Sequence, residues 1–352
     1  MVNKKFSKNV VPLILYESIN SSTLPTIKYT SSKKNNLPNN NDFFPISIRE
    51  YIKSHFSYNV ICTSVIGNLK VNINIAIFEN NSINIKDIVS KMLTWLTLCY
   101  NKGCNVNTLD IYFYPTPILK ELPKSKSIII GSKHVNSAYT NRCKTNGNIV
   151  LYRNEEWFKV FIHETFHTFG LECDDHFNDN IRNVINELYS LDENILFGEA
   201  YAEFWARIVN LCFYCYLNSK NKDNYLKLYF SNLNSEVKFS LYQKEKILNF
   251  MGLNYENLSN NKFAQKHKYK EGSNVFSYYI LTSLLLFNNN EFFKICYKYN
   301  DNIFNCKYVT YKYFKDLITK KYRNISNILI EKNDLIQFKY PEKSTRMSYF
   351  NV

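Results

Sequence analysis

Histidine, arginine, glycine and proline are all scarce in this chain: six, seven, eight and eight residues respectively in a total of 352. The shortage of arginine matters because the formal net charge is +14, which invites a nucleic-acid or membrane-surface partner. Arginine is the side chain that reads phosphate bidentately. The lysines that supply the charge are scattered, as in Lys4-Lys5, Lys33-Lys34 and Lys320-Lys321, and form no stripe. The charge therefore reads as solvated surface, and no specific nucleic-acid partner is expected. Long apolar runs are missing too: the stretch 280–287 falls far short of the roughly 20 residues needed to cross a bilayer, so no membrane span is expected. No secretory leader is visible, because Pro12 interrupts a short apolar run and no small-residue cleavage site follows. Nine cysteines, an odd number without framework spacing, read as free thiols in a reducing compartment. Cys212 and Cys215 form a CxxC inside an apolar helix with no second pair, which reads as buried thiols.

A hydrophobic content of 45 % with 16 % aromatics excludes a disordered chain. Asparagine, lysine, isoleucine and tyrosine are abundant, a bias like that of AT-rich coding sequences in some large DNA viruses, protists and low-GC bacteria. The localisation these features predict is cytoplasmic (host cytoplasm or virion if the source is viral).

Against so few histidines, His163-Glu164-Thr165-Phe166-His167 stands out. It matches the H-E-x-x-H pattern of zinc peptidases. Residues four apart share a helix face, so His163 and His167 can reach one Zn2+ ion, and Glu164 lies close enough to act as general base. Asn154 suits an N-cap, Glu155 and Glu156 suit the first turn, and Gly170 suits the stop. Phe158, Ile162, Phe166 and Phe169 fall on the side opposite the histidines.

Zinc in a catalytic site needs a third protein ligand. One candidate is Glu199, which lies with Glu203 among Phe, Ala, Tyr and Trp residues at the start of a long apolar helix. Unpaired carboxylates are costly in such surroundings. Glu199 as ligand, with Glu203 holding a ligand histidine in its tautomer, accounts for both. Glu203 also has a simpler reading, an ion pair with Arg207 four residues on. The other candidate is Cys173, three residues after Gly170, with Asp174, Asp175 and His176 adjoining; no Met-turn follows.

In these segments the chain resembles the gluzincins, such as thermolysin-like peptidases and zinc aminopeptidases. Gly198-Glu199-Ala200-Tyr201-Ala202 is similar to the aminopeptidase segment that carries the glutamate ligand, and Glu203 matches an acidic neighbour in the thermolysin-like enzymes. The likeness covers 154–206, although 31 residues (168 to 198) separate His167 from Glu199, more than those relatives usually have. It implies His163, His167 and Glu199 as zinc ligands, Glu164 as general base and a protein or peptide substrate. The exopeptidase motif that binds a substrate amino terminus is not evident, which leaves the substrate mode open, with an endopeptidase as the favoured expectation. A further donor should stabilise the oxyanion. Tyr278 is the candidate chosen, with Tyr279 and His267 as alternatives among 28 tyrosines and six histidines.

The wider pattern predicts an α+β, zincin-like fold without internal repeats. An α/β part, 1–153, carries strands at 59–66, 69–78, 108–114, 128–130 and 148–153 and a helix at 85–100. Asn146-Gly147 reads as a turn and 149–152 as an edge strand that binds substrate main chain. The stretch 20–42 reads as a loop. The remainder, 154–352, is mostly helical, with helices at 182–190, 193–217, 223–252, 273–288, 290–298 and 310–322. Two functions fit: a zinc metallopeptidase, or a catalytically degenerate zincin that serves as a binding or structural protein.

Overall fold

The computed structural model describes residues 6–35, 37–38, 42–79, 83–260, 268–325 and 340–352. Strands β1 (Lys28–Ser32), β2 (Phe56–Ile66), β3 (Leu69–Phe78), β4 (Thr108–Phe113), β5 (Ala138–Thr140) and β6 (Asn146–Leu151) form one sheet in the order β1-β2-β3-β4-β6-β5. The first three pair antiparallel, β3, β4 and β6 run parallel, and β5 returns antiparallel to β6. Helix α3 (Ile85–Cys99) makes the crossover that parallel pairing of β3 and β4 requires.

Strand alternation separates two apolar layers. Val71, Ile73, Ile75, Leu109, Ile111, Ile149 and Leu151 face the large core, whereas Ala76, Phe78, Val150 and Tyr152 face a small one closed by α2 (Ile46–His55). The large core is continuous with the helical layer. It includes Val11 and Leu15 of α1 (Val10–Ser21), the length of α7 (Phe197–Leu217), and Met347 and Phe350 near the chain end. Residues on both sides of 153 therefore share one core.

Some expectations are corrected. Asn146-Gly147 is no turn but the start of β6, where a Cβ on Gly147 would sit 3.3 Å from both Leu109 and Thr168 side chains. The strand predicted at 149–152 is interior, flanked by β4 and β5; the last strand in the order is β5, too short to give a sequence signal. The stretch 20–42 is not all loop, because β1 pairs with β2 there. Residues 128–130 form no strand: Ile128 and Ile129 are exposed, and only Gly131 bridges to Gly272. Pro12 lies in the first turn of α1, where a missing N–H costs nothing.

The thiols are not all free. Cys104 pairs with Cys143 and Cys173 with Cys306, while Cys62, Cys99, Cys212, Cys215 and Cys296 are buried and free. Covalent closure of such loops stabilises by about 2–4 kcal/mol per bridge. Reduction under non-denaturing conditions should lower the melting temperature well below that of the oxidised protein. An unchanged melting temperature, with four additional thiols titrated, would contradict this account.

Candidate metal centre

The site is built on two helices that cross at its centre, α5 (Trp157–Thr168) and α7. The N-cap of α5 is Glu156 in the left-handed region (φ 56°), not Asn154. Its carboxylate accepts the backbone N–H groups of Met347 and Ser348 and pairs with Lys120 at 2.6 Å, which fixes where the helix begins. The predicted stop at Gly170 is present as a Schellman turn: Gly170 N–H donates to His167 O at 3.0 Å and Leu171 N–H to Phe166 O at 2.8 Å. Gly170 has φ 57°, and a Cβ there would collide with the sulfurs of Cys104 and Cys143. On the far side of α5, Trp95 of α3 donates its indole N–H to Thr165 Oγ1 at 2.7 Å.

These anchors turn one face of α5 toward α7. His163 Nε2 lies 3.0 Å from His167 Nε2 and 3.2 Å from Glu199 Oε2, and His167 Nε2 lies 3.5 Å from the same oxygen. The three predicted ligands thus offer atoms that all lie within 4.8 Å of one another. The outward ring nitrogens face carboxylates: His163 Nδ1 is 3.1 Å from Glu203 Oε2, an ion-pair distance without a hydrogen bond, and His167 Nδ1 is 2.5 Å from Glu172 Oε2. Protons held on the two Nδ1 atoms leave both Nε2 lone pairs aimed at each other and at a carboxylate oxygen. Such a cluster of acceptors could hold a cation at its centre, and two imidazoles with one carboxylate are a donor set that suits zinc.

The electrostatics agree. Burial alone would lower the His163 pKa, but the carboxylates of Glu199 and Glu203 raise it overall; His167 is raised further against its own burial by Glu172 and Glu199. Burial would raise Glu199, yet the imidazoles hold it below the usual carboxylate range. Glu164 is different. Burial pushes its pKa up, and the neighbouring histidines reverse this only in part.

Glu203 does not pair with Arg207, which turns away to Glu236 at 2.6 Å. Its partner is Lys159, whose buried ammonium donates to both carboxylate oxygens at 3.0 Å. Sequence reading missed Lys159, although Lys159, His163 and His167 are successive i, i+4 positions on one face. Glu172 was missed as well; its place just after Gly170 was the available signal.

Cys173 cannot be a ligand while bonded to Cys306. Asp174 instead caps α6 (Asp175–Tyr189) through Phe177 N–H, and His176 is exposed and stacked on Tyr308. Tyr278 belongs to the site: it sits in a π-helical turn (Phe276–Leu281) and donates its hydroxyl to Glu199 Oε2 at 3.0 Å. Tyr279 points elsewhere, to Thr345 O, and His267 lies outside the described residues. His163, Glu164, His167, Glu199 and Tyr278 line one cleft of about 570 Å³, with Ala138, Tyr139 and Thr140 of β5 along its wall. No protein-family model, curated protein or solved structure matches this chain.

The buried Lys159–Glu203 pair gives a stability test. Removing one partner strands a buried charge and costs about 3–5 kcal/mol. Lys159→Met should therefore lower the urea midpoint sharply, and Lys159→Met combined with Glu203→Leu should recover part of the loss. A single variant as stable as wild type would mean that Glu203 is held some other way.

Proposed function

We propose that this protein is a zinc metallopeptidase with a gluzincin-type ligand set, zincin-like in fold and acting within peptide chains. The observation that carries the reading is the meeting of His163 Nε2, His167 Nε2 and the Glu199 carboxylate, with the outward ring nitrogens turned to Glu203 and Glu172. Zinc bound by these three would act as a Lewis acid on a scissile carbonyl and on water.

The remaining chemistry belongs to the chain. Glu164 is buried at the edge of the cleft with a raised pKa, suited to taking a proton from the attacking water and passing it to the leaving amine. The Tyr278 hydroxyl, within reach of Glu199, can turn to donate a hydrogen bond to the developing oxyanion. A substrate segment lying along β5 would add a strand beside the cleft, a mode that suits an extended peptide better than a chain end. That role passes from 149–152, which is interior.

The degenerate-zincin alternative has less support, because a purely structural metal site needs no buried general base. Disulfides persist mainly in oxidising surroundings, so the two bridges favour such a setting over the cytoplasm. No described helix is long and apolar enough to cross a membrane.

The test is elemental analysis of purified protein beside a peptide-cleavage screen. Wild type should carry near-stoichiometric zinc, Glu199→Ala should lose most of it, and Glu164→Gln should keep zinc while losing peptidase activity by at least 100-fold, the scale of general acid–base catalysis. Wild type that stays zinc-free after metal loading would sink the reading. Zinc retention without cleavage of any substrate in the screen would move it to the degenerate zincin.

A further inference from the structure

Glu172 lies in the short turn between α5 and α6, between the helix of the two histidines and the helix of Glu199. Its carboxylate is buried and spans two partners. Oε2 meets His167 Nδ1 at 2.5 Å, and Oε1 meets Arg142 Nε at 3.2 Å. Arg142 sits at the cleft wall and ties onward to Asp175 at 3.0 Å.

The turn is held on several sides. Phe169 O accepts Cys104 N–H at 2.7 Å, and Leu171 O accepts Cys306 N–H at 2.9 Å. Cys173, directly after Glu172, is bonded to Cys306, while Cys143, directly after Arg142, is bonded to Cys104. Asn178 donates to Cys173 O at 3.1 Å and accepts Gly198 N–H at 2.7 Å, which couples the turn to the residue before Glu199. A carboxylate fixed this firmly against one ring nitrogen sets both the tautomer and the rotation of that ring.

We propose that Glu172, held by Arg142 and clamped by the two disulfides, is the positioning residue of His167 and thereby sets how tightly the site holds its metal. The inference rests on the zinc-site reading above. An ion pair that only fastened the β5–β6 loop to the turn would not influence the metal.

The two roles separate in a titration of metal-free, full-length protein with Zn2+ against a chromophoric chelator, with visible spectra of Co2+-loaded protein in parallel. Glu172→Ala should weaken Zn2+ binding roughly 10–100-fold and shift the cobalt bands. Glu172→Gln should restore most of the affinity and the wild-type spectrum, because its amide oxygen still accepts the Nδ1 proton. Glu172→Asp keeps the charge but withdraws it by one methylene, so it should bind more weakly than Glu172→Gln; this pair carries the test if the alanine variant does not fold. Glu172→Ala with wild-type affinity and spectrum overturns the inference alone, as does equal weakening in the alanine and glutamine variants. Wild type that binds no Zn2+ overturns the zinc reading itself.

Discussion

Three acceptors aimed at one point, with their protons held elsewhere, form the constraint on which the site depends. Each imidazole could relieve the crowding by rotating or by moving its proton to Nε2. Glu203 and Glu172, placed on the Nδ1 side, oppose that rotation and favour a proton on Nδ1. Those carboxylates are buried and need partners of their own, which is why a lysine lies inside the helix pair and an arginine lies at the cleft wall. α7 packs directly against α5, and the short carboxylate-to-imidazole distances come with that approach.

Support extends well beyond the two helices. Glu156, at the root of α5, gathers Lys120, Arg346 and the backbone of Met347 and Ser348, so the segment 340–352 returns beneath the start of the active helix. Gln243 of α8 (Lys222–Phe250) donates to Ser344 O, and Asn210 of α7 donates to Phe350 O, tying the same segment to the helical layer. At the other end of the cleft, Ser277 donates to Leu196 O at 2.8 Å, which brings the π-helical turn and Tyr278 against the start of α7. π-Helical turns recur at functional sites because the extra residue redirects one side chain. Here the redirected stretch carries the tyrosine that reaches Glu199.

What the sequence made legible follows the range of its signals. The two histidines and Glu164 belong to one helical repeat, and strict alternation gave β3 its observed limits, Leu69–Phe78. Glu199 and Glu203 were legible through cost, since two charges in an apolar helix demand partners. The partners themselves were less accessible. Lys159 shares the histidine stripe, but a single lysine among phenylalanines reads as a snorkelling surface residue until the facing helix is known. Glu172 and Arg142 meet across 30 positions by way of a loop whose course depends on disulfides that spacing could not pair. β5 has three residues, fewer than any alternation can mark, so the neighbouring β6 took its place as the expected edge.

The charge balance joins the metal-free protein to the proposed holo form. Around the two imidazoles lie the carboxylates of Glu172, Glu199 and Glu203; Lys159 faces Glu203, and Arg142 is shared between Glu172 and Asp175. The carboxylates that face the imidazoles, Glu199 and Glu203 for His163 and Glu172 and Glu199 for His167, raise the pKa of both rings against their burial. In the proposed holo form a divalent cation between the Nε2 atoms and Glu199 would add positive charge where those carboxylates converge. Glu203 and Glu172, on the outer side of the rings, would keep their contacts. A site whose outer contacts survive metal loading would have little to rearrange, the preorganisation on which the proposed hydrolysis would draw.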